Sequence, residues 1–170
     1  MAVFECGQKV VYGIHGVCVI IDREIRSINR KKVEYYVLAP ATQPSARFYV
    51  PTQNQIAVGK LRPLLSREAL DDLISSSETI KDIWIPDENR RKQRYHQLIN
   101  SGDLTALIAM VKSLLIHKEQ QLSSGRKFHL CDENFLRDAQ KLLSAEFAMV
   151  LGIEQEQVSK YIEERVMTPG

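Results

Sequence analysis

Arg90, Arg91 and Arg94 form the densest concentration of cationic chemistry in this sequence. Arg90 and Arg94 lie one helical turn apart with Arg91 adjacent in angle, so a helix would gather three guanidinium groups in its opening turns. Such a cluster suits phosphate, and a helix N-terminus adds free N–H groups, although Asp87 and Glu88 oppose that locally. The same run also fits a solvated helix face. Ser123-Ser124-Gly125-Arg126-Lys127 is a second candidate. Its small residues let backbone approach a partner, and its two cations follow at what reads as a helix start; a plain loop fits as well. Trp84, the only Trp, stands between Ile83 and Ile85 at the edge of the arginine run. It is either an aromatic that closes the core or an apolar wedge stacking on bases beside a phosphate clamp.

Other reactive side chains are poorly placed for chemistry. His129-x-Cys131 with His117 offers at most three metal ligands and no second cluster, so no metal or other cofactor is expected. There is no GxxxxGK[ST], GxGxxG or GxSxG, so no enzyme activity and no small-molecule substrate are expected. His15, between Ile14 and Gly16, reads as a loop-structural residue satisfying its own backbone. Asp71-Asp72 and Glu163-Glu164 point about 100° apart on a helix and read as solvated faces. Cys6, Cys18 and Cys131 are odd in number and unpaired in spacing, and read as buried thiols rather than a disulfide framework.

Two kinds of element must position these residues. Lys9–Tyr12, Val17–Ile21, Val33–Leu38 and Arg47–Val50 are short β-branched and aromatic runs separated by Gly13, Gly16, Asn29-Arg30-Lys31 and Pro40–Pro44. So few short strands need closure to bury a core, which favours a small SH3-like or Tudor-like β-barrel. Arg47, Tyr49 and Pro51 share one face of its last strand. After Pro63 the period becomes helical. Ser66 caps a helix bearing Leu70, Leu73 and Ile74, and Pro86 opens a helix that stops at Ser101-Gly102. Asp103 caps the Leu104–Leu115 stripe, and apolar helices follow over Phe135–Leu151 and around Val158–Val166. The expectation is a two-domain α+β chain: a Tudor-like barrel over residues 1–63 and an all-α helical domain over 64–170.

The 170 residues are 44% hydrophobic and 26% charged, the balance of an ordinary globular protein. No apolar run approaches the roughly 20 residues that span a bilayer, and Met1–Gly7 lacks signal-peptide features. A cytoplasmic chain without a membrane partner is expected. The formal charge of +2 hides an alternation: +5 up to Leu65, −5 over Ser66–Glu88, +6 over Asn89–Cys131 and −4 beyond. A basic centre between acidic flanks points to a local patch for an acidic partner.

Val10-Val11-Tyr12-x-x-His15-Gly16, Glu34-Tyr35-Tyr36-Val37-Leu38, Val50-Pro51-x-x-Asn54 and Val58-Gly59 resemble the CarD, or CdnL, family of bacterial transcription regulators. Arg90-Arg91-x-x-x-Tyr95, Ser101-Gly102-Asp103, Leu122-Ser123-x-Gly125-x-Lys127 and the Ala139–Ala148 helix continue the resemblance, which runs from about Phe4 to Gly152. It implies a Tudor-like module that binds the RNA polymerase β subunit, with an exposed strand edge and flanking cations, and a helical domain that grips promoter DNA at the upstream edge of the transcription bubble. Arg26 matches a polymerase-contacting position. Tyr49 stands where the family has a second Arg, for which Arg47 is the substitute. Arg90, Arg91 and Lys127 match the family's DNA-contacting cations, with Arg94 and Arg126 their neighbours by charge. The family also carries a wedge Trp, but counting back from Ser101-Gly102-Asp103 puts Glu88 there and Trp84 one turn upstream. The function expected is stabilisation of the open promoter complex without base-sequence readout. A protein-interaction module of other purpose and an RNA-binding module are the alternatives.

Overall fold

The computed structural model describes residues 3–77 and 81–167. The chain divides into two compact units, Met1–Leu64 and Leu65–Gly170. Glu78 of the acidic stretch lies outside the described residues.

The first unit contains β1 (Lys9–Tyr12), a 3-10 turn (Gly13–His15), β2 (Val17–Ile28), β3 (Lys31–Pro40), β4 (Phe48–Pro51), the short helix α1 (Gln55–Val58) and β5 (Leu61–Pro63). Its antiparallel sheet has the order β4-β3-β2-β1-β5. The long β2 makes closure around a core feasible. Its first residues pair with β1, its whole length runs along β3, and a register shift between Ile20 and Asp22 inserts Ile21 as a bulge that bends the strand. One bent strand thereby serves both halves of a Tudor-like, SH3-like unit, folded over Phe4, Val10, Cys18, Ile20, Tyr36, Leu38, Val50, Val58 and Leu61.

Periodicity alone stops β2 at Ile21, whereas the strand continues to Ile28. Its charged half is held by cross-strand contacts rather than by burial: Arg23 Nη2 donates to Glu34 Oε2 at 3.1 Å. The two-residue connection Asn29-Arg30 takes φ 49° and 64°, the left-handed pair of a type I′ hairpin turn. Arg47 falls just outside β4. His15 keeps a loop-structural place, but through its ring, which packs 5.0 Å from Tyr12 and 4.7 Å from Phe48. Of the three thiols only Cys18 is buried; Cys6 is exposed in a turn and Cys131 is half-buried.

The second unit contains α2 (Arg67–Ser76), α3 (Glu88–Ser101), α4 (Leu104–Ser123), α5 (Leu130–Leu151) and α6 (Gln155–Met167). Side-chain caps set three starts: Ser66 Oγ accepts from Ala69 N at 3.0 Å, Asp87 Oδ1 from Arg90 N at 2.8 Å, and Asp103 Oδ1 from Thr105 N at 2.9 Å. Pro86 therefore sits one place before the α3 cap rather than in the first turn. The core joins Leu70, Tyr95, Ile108, Met110, Leu114, Phe135, Leu143, Phe147 and Ile162 from all five helices. Burial pushes the Tyr95 phenol up to about 12, so it packs as a neutral ring. α5 starts five residues before the expected Phe135; Asp132 and Glu133 occupy its first turn, where acidic groups meet the positive end of the helix dipole. No described helix is long and apolar enough to cross a membrane.

Arg30 is an L-residue in a left-handed turn position, so Arg30→Gly should stabilise the hairpin by about 1 kcal/mol. The urea midpoint of the full chain should rise; a lower midpoint would mean that the arginine side chain contributes more than its backbone strain costs.

Candidate nucleic-acid interface

The three arginines expected to cluster at the start of α3 separate into two kinds. Arg90 and Arg94 are exposed, while Arg91 is only 4% exposed. Arg91 Nε and Nη2 donate to Asp132 Oδ1 and Oδ2, both at 2.9 Å, in a two-pronged pair with a carboxylate that is 1% exposed. Its remaining nitrogen, Nη1, donates to the Ile85 carbonyl at 2.9 Å. Burial pulls this guanidinium down, but Asp132 more than offsets that, so Arg91 remains a cation. With its fork filled, Arg91 has no face to offer phosphate. It ties α3, α5 and the residues ahead of α3 together. Periodicity misses this because the partner lies 41 positions away.

Trp84 is likewise engaged. Its ring stacks on His117 with centroids 3.9 Å apart and 18° between planes, while the Arg91 guanidinium carbon lies 4.2 Å from its centroid. Two planar groups that close cannot share one face, so both faces of Trp84 are covered and the ring is half-buried against the helical core. The expectation of a free stacking wedge gives way to the core-closing alternative. Asp82 anchors the arrangement: its Oδ2 lies 3.0 Å from His117 Nε2, and its Oδ1 accepts from the Trp84 amide at 3.0 Å and from the Ser113 hydroxyl. Burial raises the Asp82 carboxyl, but the bonds from Ser113, His117 and Trp84 N outweigh it and hold the group below its usual value. His117 is thus turned to Asp82, and Cys131 Sγ to Glu88 Oε1 at 3.8 Å; among the described residues no metal-holding group forms. Glu88 itself pairs with Lys92 at 2.6 Å, so a neutralised carboxylate occupies the place where an aromatic wedge was sought.

Arg126 and Lys127 are exposed, but they leave a helix rather than open one. Gly125, at φ 71°, ends α4: its N–H reaches Leu122 O at 3.1 Å and the Arg126 N–H reaches Gln121 O at 2.9 Å. Positive φ explains the glycine; close approach to a partner is not needed for it. Phe128 then packs on the core and fixes the loop before α5. Arg90, Arg94, Arg126 and Lys127 have no ion-pair partner among the described residues.

In the β unit, Arg26 and Tyr49 are brought together across the sheet, with the guanidinium 4.0 Å from the ring centroid. Arg26 is also held by Glu24 Oε2 at 2.9 and 3.1 Å, a contact that keeps its pKa raised. Arg47 does not join them through its Nη1, which donates back to Pro44 O at 2.6 Å and Ala46 O at 2.8 Å.

Both units match described protein families. Residues 4–64 match the CarD-like/TRCF RID domain, and residues 72–163 match the CarD C-terminal domain. The chain belongs to the CarD family. It is similar to the Bacillus subtilis (strain 168) protein named "Putative transcription factor YdeB", with 25% identity over 166 residues, covering 93% of this chain and 99% of that protein. CarD-family membership places it among transcription regulators of RNA polymerase-binding character, a family not typically enzymatic.

Two outcomes follow from this geometry. Arg91→Ala strands the Asp132 carboxylate in the core, costing about 3–5 kcal/mol; thermal denaturation should show a large loss for it and almost none for Arg90→Ala. Because the pKa of Asp82 is depressed in the folded state, its contribution is complete above the usual carboxylate value and disappears as pH falls through the lowered one. Emission from Trp84, the sole tryptophan, should therefore hold steady down to the ordinary carboxylate range and change only below it. In Asp82→Asn that acid transition should be absent; its persistence would assign it to another group.

Proposed function

We propose that this CarD-family chain binds the RNA polymerase β subunit through its β unit and stabilises the open promoter complex through sequence-independent DNA contacts of its helical unit, near the upstream edge of the transcription bubble. The observation that carries the reading is the consecutive match of a polymerase-interacting type of domain and a CarD C-terminal domain along one chain. The DNA-contacting residues are Arg90, Arg94, Arg126 and Lys127, exposed cations whose charge is not spent inside the protein. Such groups position a backbone without reading bases. Arg91 and Trp84 serve the same surface from behind, by holding the start of α3 in place. The polymerase-contacting residues are Arg26 and Tyr49, a cation stacked on a half-exposed ring, with Arg47 beside them on the loop leading into β4.

The mechanism is differential binding. A protein that holds the melted promoter more tightly than the closed one shifts the balance by that difference, whereas equal binding to both shifts nothing. Few free cations mean weak, salt-sensitive affinity for DNA alone, and attachment to polymerase supplies the local concentration.

Arg26→Glu should abolish capture of the β subunit while leaving the melting temperature unchanged. Arg90→Glu with Arg94→Glu should shorten open-complex lifetime and reduce the slope of log affinity against log salt by about 0.9 for each phosphate that is no longer neutralised. Unaltered lifetime in the second protein, with polymerase binding intact, would remove the DNA half of the reading. Preference for single-stranded RNA over bubble-containing duplex would replace it.

A further inference from the structure

Leu130 is the most exposed large apolar residue among the described residues of the helical unit, at 73%, although it opens the 22-residue α5 directly beside a core aromatic, Phe128. Phe128 is packed against the core, which fixes the loop and leaves Leu130 one residue past the adjoining His129 with no place to bury. The pairings between α3 and α5 define its surroundings. Glu88 meets Cys131, Arg91 meets Asp132, and Tyr95 and His96 meet Phe135 at 5.5 and 5.0 Å between rings. Positions rise together on both helices, so their first turns lie side by side and Leu130 stands next to the start of α3. Arg126 and Lys127 precede it by three or four residues, a reach of at most about 14 Å along the chain.

The charge around Leu130 is one-sided once pairs are removed. Glu88 is paired with Lys92, Asp132 with Arg91 and Glu133 with Lys118, and the Asp87 carboxylate caps α3. What remains unpaired among the described residues is Arg90, Arg94, Arg126 and Lys127, all exposed. An exposed leucine set among unspent cations complements a polyanion that also offers an apolar surface, and duplex DNA at an opened base step is such a partner: phosphates flank it, and sugar and unstacked base are apolar. An acidic protein surface would pair the cations but leaves the leucine without a reason to be outside.

We infer that Leu130 is the apolar contact of the helical unit with DNA, seated in the minor groove against an opened base step while Arg90, Arg126 and Lys127 hold the flanking phosphates. The inference rests on the DNA-binding reading above and names the contact that gives it preference for parted strands. Cations alone bind closed and open duplex with similar strength; an apolar side chain that needs an unstacked step binds only the latter well.

The test uses the full chain with its cognate RNA polymerase holoenzyme on a promoter fragment, and reads open-complex lifetime after addition of a polyanion competitor. Leu130→Ser should keep the melting temperature and the affinity for polymerase, since the side chain is already in solvent, and shorten the lifetime by about ten-fold, the worth of one leucine buried in the complex. Leu130→Trp should restore or lengthen it. Wild-type lifetime for Leu130→Ser beside a shortened one for Arg90→Glu overturns the inference and leaves the DNA-binding reading standing. Wild-type lifetimes for both proteins overturn the two together.

Discussion

The helical unit depends on one buried ion pair. Arg91 and Asp132 are withdrawn from water almost completely, and a pair like that persists only when its geometry is good and its remaining donors are satisfied. Both conditions hold: two parallel bonds to the carboxylate and a third to the Ile85 carbonyl. From this pair the rest of the surface follows. It sets the first turns of α3 and α5 side by side and supplies the cation that covers one face of Trp84; His117, itself held by Asp82, covers the other.

The consequence for function is a division of labour among basic residues that look alike in sequence. Arg91 is consumed in holding the scaffold, whereas Arg90 and Arg94, one position before it and three after, point their charge at solvent. Helical geometry makes the difference, because adjacent positions are turned by about 100° and only one of the three can face α5. The local carboxylates are neutralised in turn by Arg91, Lys92 and Lys118, so a stretch with mixed formal charge presents a basic exterior. That exterior, together with the family's polymerase-binding character, is what a transcription regulator of this kind works with.

Much of the fold was legible in the sequence because local chemistry determined it. Ser66 and Asp103 mark helix starts by supplying side-chain oxygens to orphan N–H groups, and Asn29-Arg30 marks a turn flanked by strand-forming runs. The outer half of β2 was not legible, since Asp22–Ile28 buries little and is held by partners on β3. The first turn of α5 was missed for a related reason: Leu130 to Asn134 has no apolar stripe, and only the acidic pair Asp132-Glu133 signals a helix start. At the candidate site, charge and spacing found Arg90, Arg94, Arg126 and Lys127. They misread Arg91 and left Trp84 undecided, because burial of those two residues is decided by α4 and α5, elements far away along the chain.

Arg91 acts through the fold and not through phosphate. Replacing the pair together, Arg91→Met with Asp132→Leu, and measuring open-complex lifetime with polymerase tests this most directly. A folded double variant with near-wild-type lifetime is the predicted result, since an apolar pair of similar volume can occupy the same site. A folded double variant that no longer prolongs the complex would contradict the claim and return Arg91 to the DNA.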